Sequence, residues 1–560
     1  MTTIDPNVAA GATVGAGRTA AEPRTGSAVG ALADWLTTAD HKKIGRLHIG
    51  VALLVAVAVA VVGALLGLER LDATGSTFDE SAVPQLFSLY RVGLTFGVVV
   101  PLVLGVCVAV VPLQLGARAL AFPRLAMAGF WTWLVGLGLV IGAIAANGGP
   151  GGGEAEAVEL FLAAHVLVLL GLVATSTSIA ASVLTTRAPG MNMRRVPLFS
   201  WSALVTALGL ILMLPVAAGT LVLLYVDHRY SRLGFGANQG ITRWVGFAWS
   251  QPQTFLYALP VFGIAAEGLV TGSRRRLRGR GIALTGLGLV GVAAFAGVSQ
   301  VGAGIRRDAL DASFADVLGD AVPYALFNLL PLLGGVVTLA VCVLGLRGGR
   351  PRIGAAAVFG VLGAGMVLTG MLGNAVYHLG DARLGGTVFE EGAWIYVCYG
   401  TVLGALGGIA HWAPKLWGRA IGDAKALPLA GLGLLATVLA SLPYYVAGFA
   451  KQPAGATEFD YAGPQDLWNA LSLAGHALMA LTLVAFAGLA ISSLRERSGR
   501  PAGHVGDDPW DGQTLEWATS SPAPRDNFAE LHVVSSPEPL LDLKPVHDRD
   551  ATDTQRGAAR

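Results

Sequence analysis

Charge is what this sequence has least of. Only 13% of its 560 residues are Asp, Glu, Lys or Arg, whereas 54% are hydrophobic and the mean hydropathy is +0.61. Those proportions exclude a soluble globular chain and point to a multi-span helical membrane protein. Cysteine is almost missing. Cys107, Cys342 and Cys398 all sit inside apolar runs, which excludes a disulfide framework and a CxxC pair. The net charge of +2 is spread over loops and forms no basic patch, so nucleic acid is excluded as a partner. Residues 1–34 lack a basic segment leading into an apolar stretch. They are expected to be a disordered tail rather than a cleaved signal peptide.

What the chain does have is long apolar runs. Stretches of roughly 20 residues or more, each enough to cross a bilayer, occur at about twelve places. They lie near 47–68, 86–112, 126–147, 157–186, 197–227, 244–272, 280–303, 321–346, 353–377, 391–413, 427–450 and 467–493. The segment Val111–Leu125, with its prolines and its glycine, should turn the chain around between the second and third of these. It carries Arg118 and Arg124, and alternate loops continue the pattern with Arg187, Arg194, Arg195, the Arg274–Arg280 cluster, Arg347 and Lys415. The opposite loops carry Asp79, Glu154, Glu156, Asp320, Glu390, Glu391 and Asp466, with Arg229, Arg232, Arg243, Arg306 and Arg307 against the trend. The basic set decides orientation, so both termini are expected in the cytoplasm. The 76 glycines suit close helix approach in lipid. Residues 35–495 are thus expected to form one all-α membrane domain, and 496–560 an extended cytoplasmic tail.

Four segments are distinctive: Trp35–Gly45 (W-L-T-T-A-D-H-K-K-I-G), Val111–Leu125, Arg187–Trp201 (R-A-P-G-M-N-M-R-R-V-P-L-F-S-W) and Asp508–Asn527 (D-P-W-D-G-Q-T-L-E-W-A-T-S-S-P-A-P-R-D-N). Together they resemble subunit I of the haem–copper oxidases of the cytochrome c oxidase type, in order and spacing from Trp35 to about Val534. The resemblance implies a twelve-helix bundle in a bacterial-type plasma membrane, two haems and one copper, reduction of oxygen to water, and movement of protons. It also implies other respiratory oxidase subunits or assembly factors, and membrane lipid, as neighbours.

Each implied group needs its own donors. In the family the second helix carries a haem-ligating His within Phe-Thr-Met-His-Gly. The matching stretch here is Phe87-Ser88-Leu89-Tyr90-Arg91, placing Tyr90 at that position. The family's sixth helix reads Gly-His-Pro-Glu-Val-Tyr, and here Ser250-Gln251-Pro252-Gln253-Thr254-Phe255. Gln251 then replaces a copper ligand, Gln253 a proton-passing carboxylate and Phe255 the crosslinked phenol. The copper-binding His pair of the seventh helix matches Ser299 and Gln300. The tenth helix should carry His-x-His, whose rings diverge by roughly 200° and reach different haems. Ala393 and Ile395 stand there. The family's channel-mouth Asp matches Ala119, with Ala126 at a following Asn, and its channel Lys matches Phe327. Its haem-propionate arginines match Ala454 and Gly455.

These substitutions lead to the expectation of no cofactor and no metal, hence a redox-inactive relative acting as subunit, scaffold or assembly partner of a terminal oxidase. An active oxidase, and a transporter using the vacated haem volume through Glu267 or Glu390 and Glu391, remain the alternatives. Of ten histidines, His165, His378, His411 and His476 lie in or near spans at no i, i+3 or i+4 spacing, so they read as packed bundle residues. His504, His532 and His547 belong to the tail. Glu267 is expected to pair with the Arg274–Arg280 cluster. Trp249, Trp394 and Tyr396 are expected to fill volume that porphyrins take in the family.

Overall fold

A computed structural model describes residues 28–543 except 72–76, 80, 233, 237–240, 242–243, 247, 303, 306–313, 348–350, 457–458, 460–463, 495–505 and 531–532. Arg243, Arg306, Arg307, His504, His532 and His547 therefore lie outside the described residues, as do 1–27 of the expected N-terminal tail. Residues Met1–Thr38 separate from the rest of the chain as a unit of their own, whose described part holds one short helix, Ala28–Leu36.

The rest is helical, and twelve helices are long and apolar enough to cross a membrane. In chain order they are α1 (His41–Glu69), α2 (Ala82–Gln114), α3 (Pro123–Ala145), α4 (Ala155–Thr185), α5 (Leu198–Arg229) and α6 (Gln253–Ser273). There follow α7 (Arg280–Ser299), α8 (Leu318–Gly345), α9 (Ala355–Tyr377), α10 (Phe389–Trp417), α11 (Asp423–Phe449) and α12 (Gln465–Leu494). Every expected run became a span, because an apolar stretch in lipid must satisfy its backbone hydrogen bonds within itself. No strand occurs among the described residues, only the isolated bridges Ile305–Leu379 and Thr387–Pro453.

Three spans are unlike the others. The most apolar windows of α2, α6 and α10 are 100%, 94% and 100% buried, while those of the remaining nine are half-buried or less. A helix hydrophobic all round belongs inside, and these three form the centre. The outer spans turn side chains such as Leu54, Val135, Leu212 and Leu481 outward, each more than half exposed. In a bilayer those faces meet lipid tails.

Packing inside depends on missing side chains. A Cβ on Gly363 of α9 would fall 2.4 Å from the Gly404 nitrogen and 2.5 Å from the Gly400 oxygen of α10. A Cβ on Gly171 of α4 would fall 2.4 Å from the Trp133 nitrogen of α3. Such contacts let two backbones touch where no hydrophobic force draws helices together. Within α2, Gly93–Val99 is π-helical, and within α8, Ala325–Leu329 is as well. Wide turns of this kind re-aim the side chains that follow.

Candidate functional site

One end of the central trio is closed by charge. At the end of α1, Arg70 is fully buried and donates to both Glu391 oxygens, at 3.2 and 2.9 Å. It also donates to the Tyr444 hydroxyl of α11 at 2.8 Å, while Asn469 of α12 donates to its carbonyl at 2.9 Å. One residue earlier on α10, Glu390 pairs with Arg91 of α2 at 2.8 Å, and the Arg91 guanidinium lies 4.5 Å over the Trp394 ring. Buried charges survive in such a place only when paired and hydrogen-bonded. The network ties α1, α2, α10, α11 and α12 together. Sequence reading noticed the Glu390-Glu391 dyad but not its arginine partners.

Beneath it lies an aromatic layer. Tyr90 meets Trp394 edge-on at 5.3 Å and His476 at 5.6 Å. The Tyr399 hydroxyl and His476 Nδ1 are 2.7 Å apart. Sequence reading treated His476 as an isolated bundle histidine and missed Tyr399, since residues on α10 and α12 share no spacing signal. Ala393 and Ile395 flank Trp394 and are fully buried. Gly63 of α1 completes the fit: a Cβ there would fall 2.9 Å from both His476 and Tyr90.

The start of α6 holds the amides. Gln251 is 6% exposed and Gln253 1%, and both amide atoms of Gln251 and the Gln253 oxygen lack a hydrogen-bond partner. They border a space of about 410 Å³ that also touches Arg91, Trp249, Asn374 and Glu390. Deeper in, a space of about 10 Å³, the size of a single water, touches His165, Met213, Gln253 and Gln300. Phe255 is fully buried, and Phe327 sits 6% exposed in the π-helical part of α8. The other sequence-derived positions are scattered. Ser299 is exposed at the end of α7, and Gln300 follows it in a left-handed conformation, donating to Thr220 at 3.0 Å. Ala119, Ala454 and Gly455 are exposed in loops, and Ala126 is buried.

At the opposite end the chain after α12 folds back over the span termini. Asn527 accepts from Lys42 at 3.0 Å, lies 3.0 Å from His41 Nε2, and donates to the Ala117 carbonyl at 2.8 Å. Glu516 accepts from Gln114 of α2 at 3.1 Å and from the Trp412 indole of α10 at 3.2 Å. Lys415 donates to the Asp507 carbonyl at 2.7 Å, and Gln513 to that of Val270 at 3.2 Å. Glu267 feels the charge of Arg280 in the expected cluster without a direct ion pair, and its carboxylate also accepts the Phe199 N–H at the start of α5, at 3.2 Å. A helix N-terminus offers unpaired N–H groups and a favourable dipole, which suits an acid there.

Burial pushes the Glu516 carboxyl above its ordinary range, against hydrogen bonds that pull it down. A released tail would return it to the ordinary carboxylate range. The docked state therefore binds the proton more tightly, so docking is strongest below that ordinary value and weakens as pH rises through the raised one. Glu267 and Lys415 face the same carboxylate and share its field. Amide exchange across 506–530, corrected for intrinsic rates, should show a gain of protection in the parent over Glu516→Gln that is larger at pH 5 than at pH 8. A difference between the two chains that is constant with pH, or grows as pH rises, would refute the assignment.

Against known proteins, the model of the family described as cytochrome c and quinol oxidase polypeptide I matches residues 43–478. A putative cytochrome c oxidase subunit 1-beta of Streptomyces coelicolor is 30% identical, covering 96% of this chain and 94% of its own. A probable cytochrome c oxidase subunit 1 of Bradyrhizobium diazoefficiens is 28% identical over 91% of this chain and 78% of its own. A quinol oxidase subunit 1 of Bacillus subtilis is 25% identical over 91% and 80%. A solved structure described as a heme-copper terminal oxidase dimer has the same fold, with a TM-score of 0.59 at 13% identity, covering 82% of this chain and 85% of that one.

These matches correct the expectation of no cofactor. The chain falls among cytochrome c and quinol oxidase polypeptides and shares the fold of a heme-copper oxidase, so haem and copper are the groups its relationship implies. The donors at the positions named above are a separate matter. Aliphatic Ala393 and Ile395 and the amide of Gln251 do not fit iron or copper ligation in the manner of the family. Among the described residues no group of three or more His, Cys, Asp or Glu could hold a metal ion.

Proposed function

Since the chain belongs to the cytochrome c and quinol oxidase polypeptide I family, we propose that it serves a respiratory oxidase assembly as an architectural subunit or assembly partner, a pseudoenzyme of the bundle. Its place is the plasma membrane of a bacterial-type cell. The basic, tail-bearing face is assigned to the cytoplasm by the positive-inside rule.

One contrast supports this reading, that between the loop and tail contacts at the span ends and the packing at the centre. The loops and tail that tie the span ends together keep their motifs and their contacts, as in Asn527 with Lys42 and Glu516 with Gln114. The centre, where relatives would do chemistry, is an aromatic and amide packing of Tyr90, Trp394, Tyr399 and Gln251. A face laced by loop and tail contacts over an interior of aromatic and amide packing suits a role in assembly.

The test is affinity purification of the tagged full chain from membranes in mild detergent, followed by oxygen uptake with reduced cytochrome c or a quinol as donor. Respiratory oxidase subunits should co-purify, and the isolated chain should consume no oxygen above background. Sustained oxygen reduction by the isolated chain, or recovery with no respiratory component, would each overturn the proposal.

A further inference from the structure

The arginines between α6 and α7 divide into two sets. Arg274 lies 3.6 Å from Asp511, Arg280 lies 3.4 Å from Glu538, and Arg276 pairs with Asp542, so the tail supplies a carboxylate to each. Arg275 and Arg278 have no carboxylate within ion-pair distance among the described residues, and neither has Arg347 at the end of α8. All three are exposed and line one groove of about 840 Å³. Its walls include Ile282 of α7, with Val341 and Leu344 of α8, and Ile282 and Leu344 are 55% and 50% exposed.

We propose that this groove binds the headgroup of an anionic glycerophospholipid. Charge complementarity and shape together favour that occupant. Three uncompensated guanidiniums at one rim repel each other and seek an anion, and a guanidinium fork matches the two free oxygens of a phosphodiester. Arg347 lies two residues beyond the end of α8 and the other two precede α7, so the charge sits at the level where spans meet headgroups. The apolar wall continues along both helices toward the bilayer, where glycerol and acyl chains would run. A free phosphate would use the charges and leave that wall in water. Basic pockets between spans on a cytoplasmic side are suited to acidic lipid. The tail strengthens the case: it neutralises its own three arginines and leaves the three that face the lipid.

The experiment uses the full chain in nanodiscs of phosphatidylcholine with an equal part of phosphatidylglycerol, ejected for native mass spectrometry. Phosphatidylglycerol should be retained over phosphatidylcholine by about tenfold or more. The variant Arg275→Gln/Arg278→Gln/Arg347→Gln should lose that preference while eluting as the parent does. The control Arg118→Gln/Arg124→Gln, which removes exposed charge from another loop of the same face, should keep it. Equal retention of both lipids, an unaltered preference in the triple variant, or an equal loss in the control would overturn the proposal. So would release of the lipid by millimolar inorganic phosphate, which would make the site one for the free anion.

Discussion

Glu391→Ala lowers the stability of the bundle by about 3–5 kcal/mol, the range for removing one partner of a buried ion pair. The effect is large because of what stays behind. Arg70 has a fully buried side chain, and its bonds to Glu391 and Tyr444 are the ones that compensate its charge. With the carboxylate gone, the acids next to each partner are already engaged, Glu390 by Arg91 and Glu69 by the Thr77 and Phe78 N–H groups. Unfolding by a graded denaturing detergent should show the loss, and the double variant Arg70→Met/Glu391→Leu should recover most of it, since both charges then leave together. Glu390→Ala offers the comparison. Its pair with Arg91 is 19% and 21% exposed, so water shares the load, and the cost should be about 1 kcal/mol. Equal effects at the two glutamates would contradict the burial argument.

Trp517→Ala detaches the tail. The indole is 3% exposed, with the Lys415 ammonium 5.2 Å from its centre and the His411 ring 5.4 Å away edge-on. Gly512 is shaped to it, since a Cβ there would fall 2.1 Å from the ring. Truncating a buried tryptophan costs about 3–5 kcal/mol. Here the cost falls on docking of 506–530 rather than on the spans, whose contacts lie elsewhere. Limited proteolysis should cut this segment far faster in the variant, with the twelve-span body left intact. Unchanged cleavage would mean that the polar contacts of Asn527, Glu516 and Lys415 hold the tail without the ring.

The fold was legible because its cause is local. A run of apolar residues long enough to cross lipid has few structures open to it, so the twelve spans follow from hydropathy alone. Distinctive loop sequences then identified the bundle. The interior was less legible because its partnerships are not local. Arg70 and Glu391 stand at opposite ends of most of the chain, and His476 meets Tyr399 across two helices. Reading each histidine against its own helix could not find that pair. Glu267 was legible in part: Arg280 of the nearby cluster does act on its charge, whereas the backbone donor at the start of α5 leaves no trace in sequence spacing. The cofactor expectation failed differently. It passed from donors missing at aligned positions to absence of the group itself, a step that the kinship with cytochrome c and quinol oxidases does not allow.

The docked strap at 506–530 also bears on how the molecule is made. A ribosome threads α1 into the bilayer early, yet Lys42 meets Asn527, Gln114 meets Glu516 and Lys415 meets the Asp507 carbonyl only after α12 has been synthesised. Until then Lys42 has Asp40 and Gln114 has Ser200 as partners, and the part of the basic face that the strap covers stays open. Completion is therefore a late, single event, and a chain stalled before residue 506 would present the cell with a visibly unfinished surface.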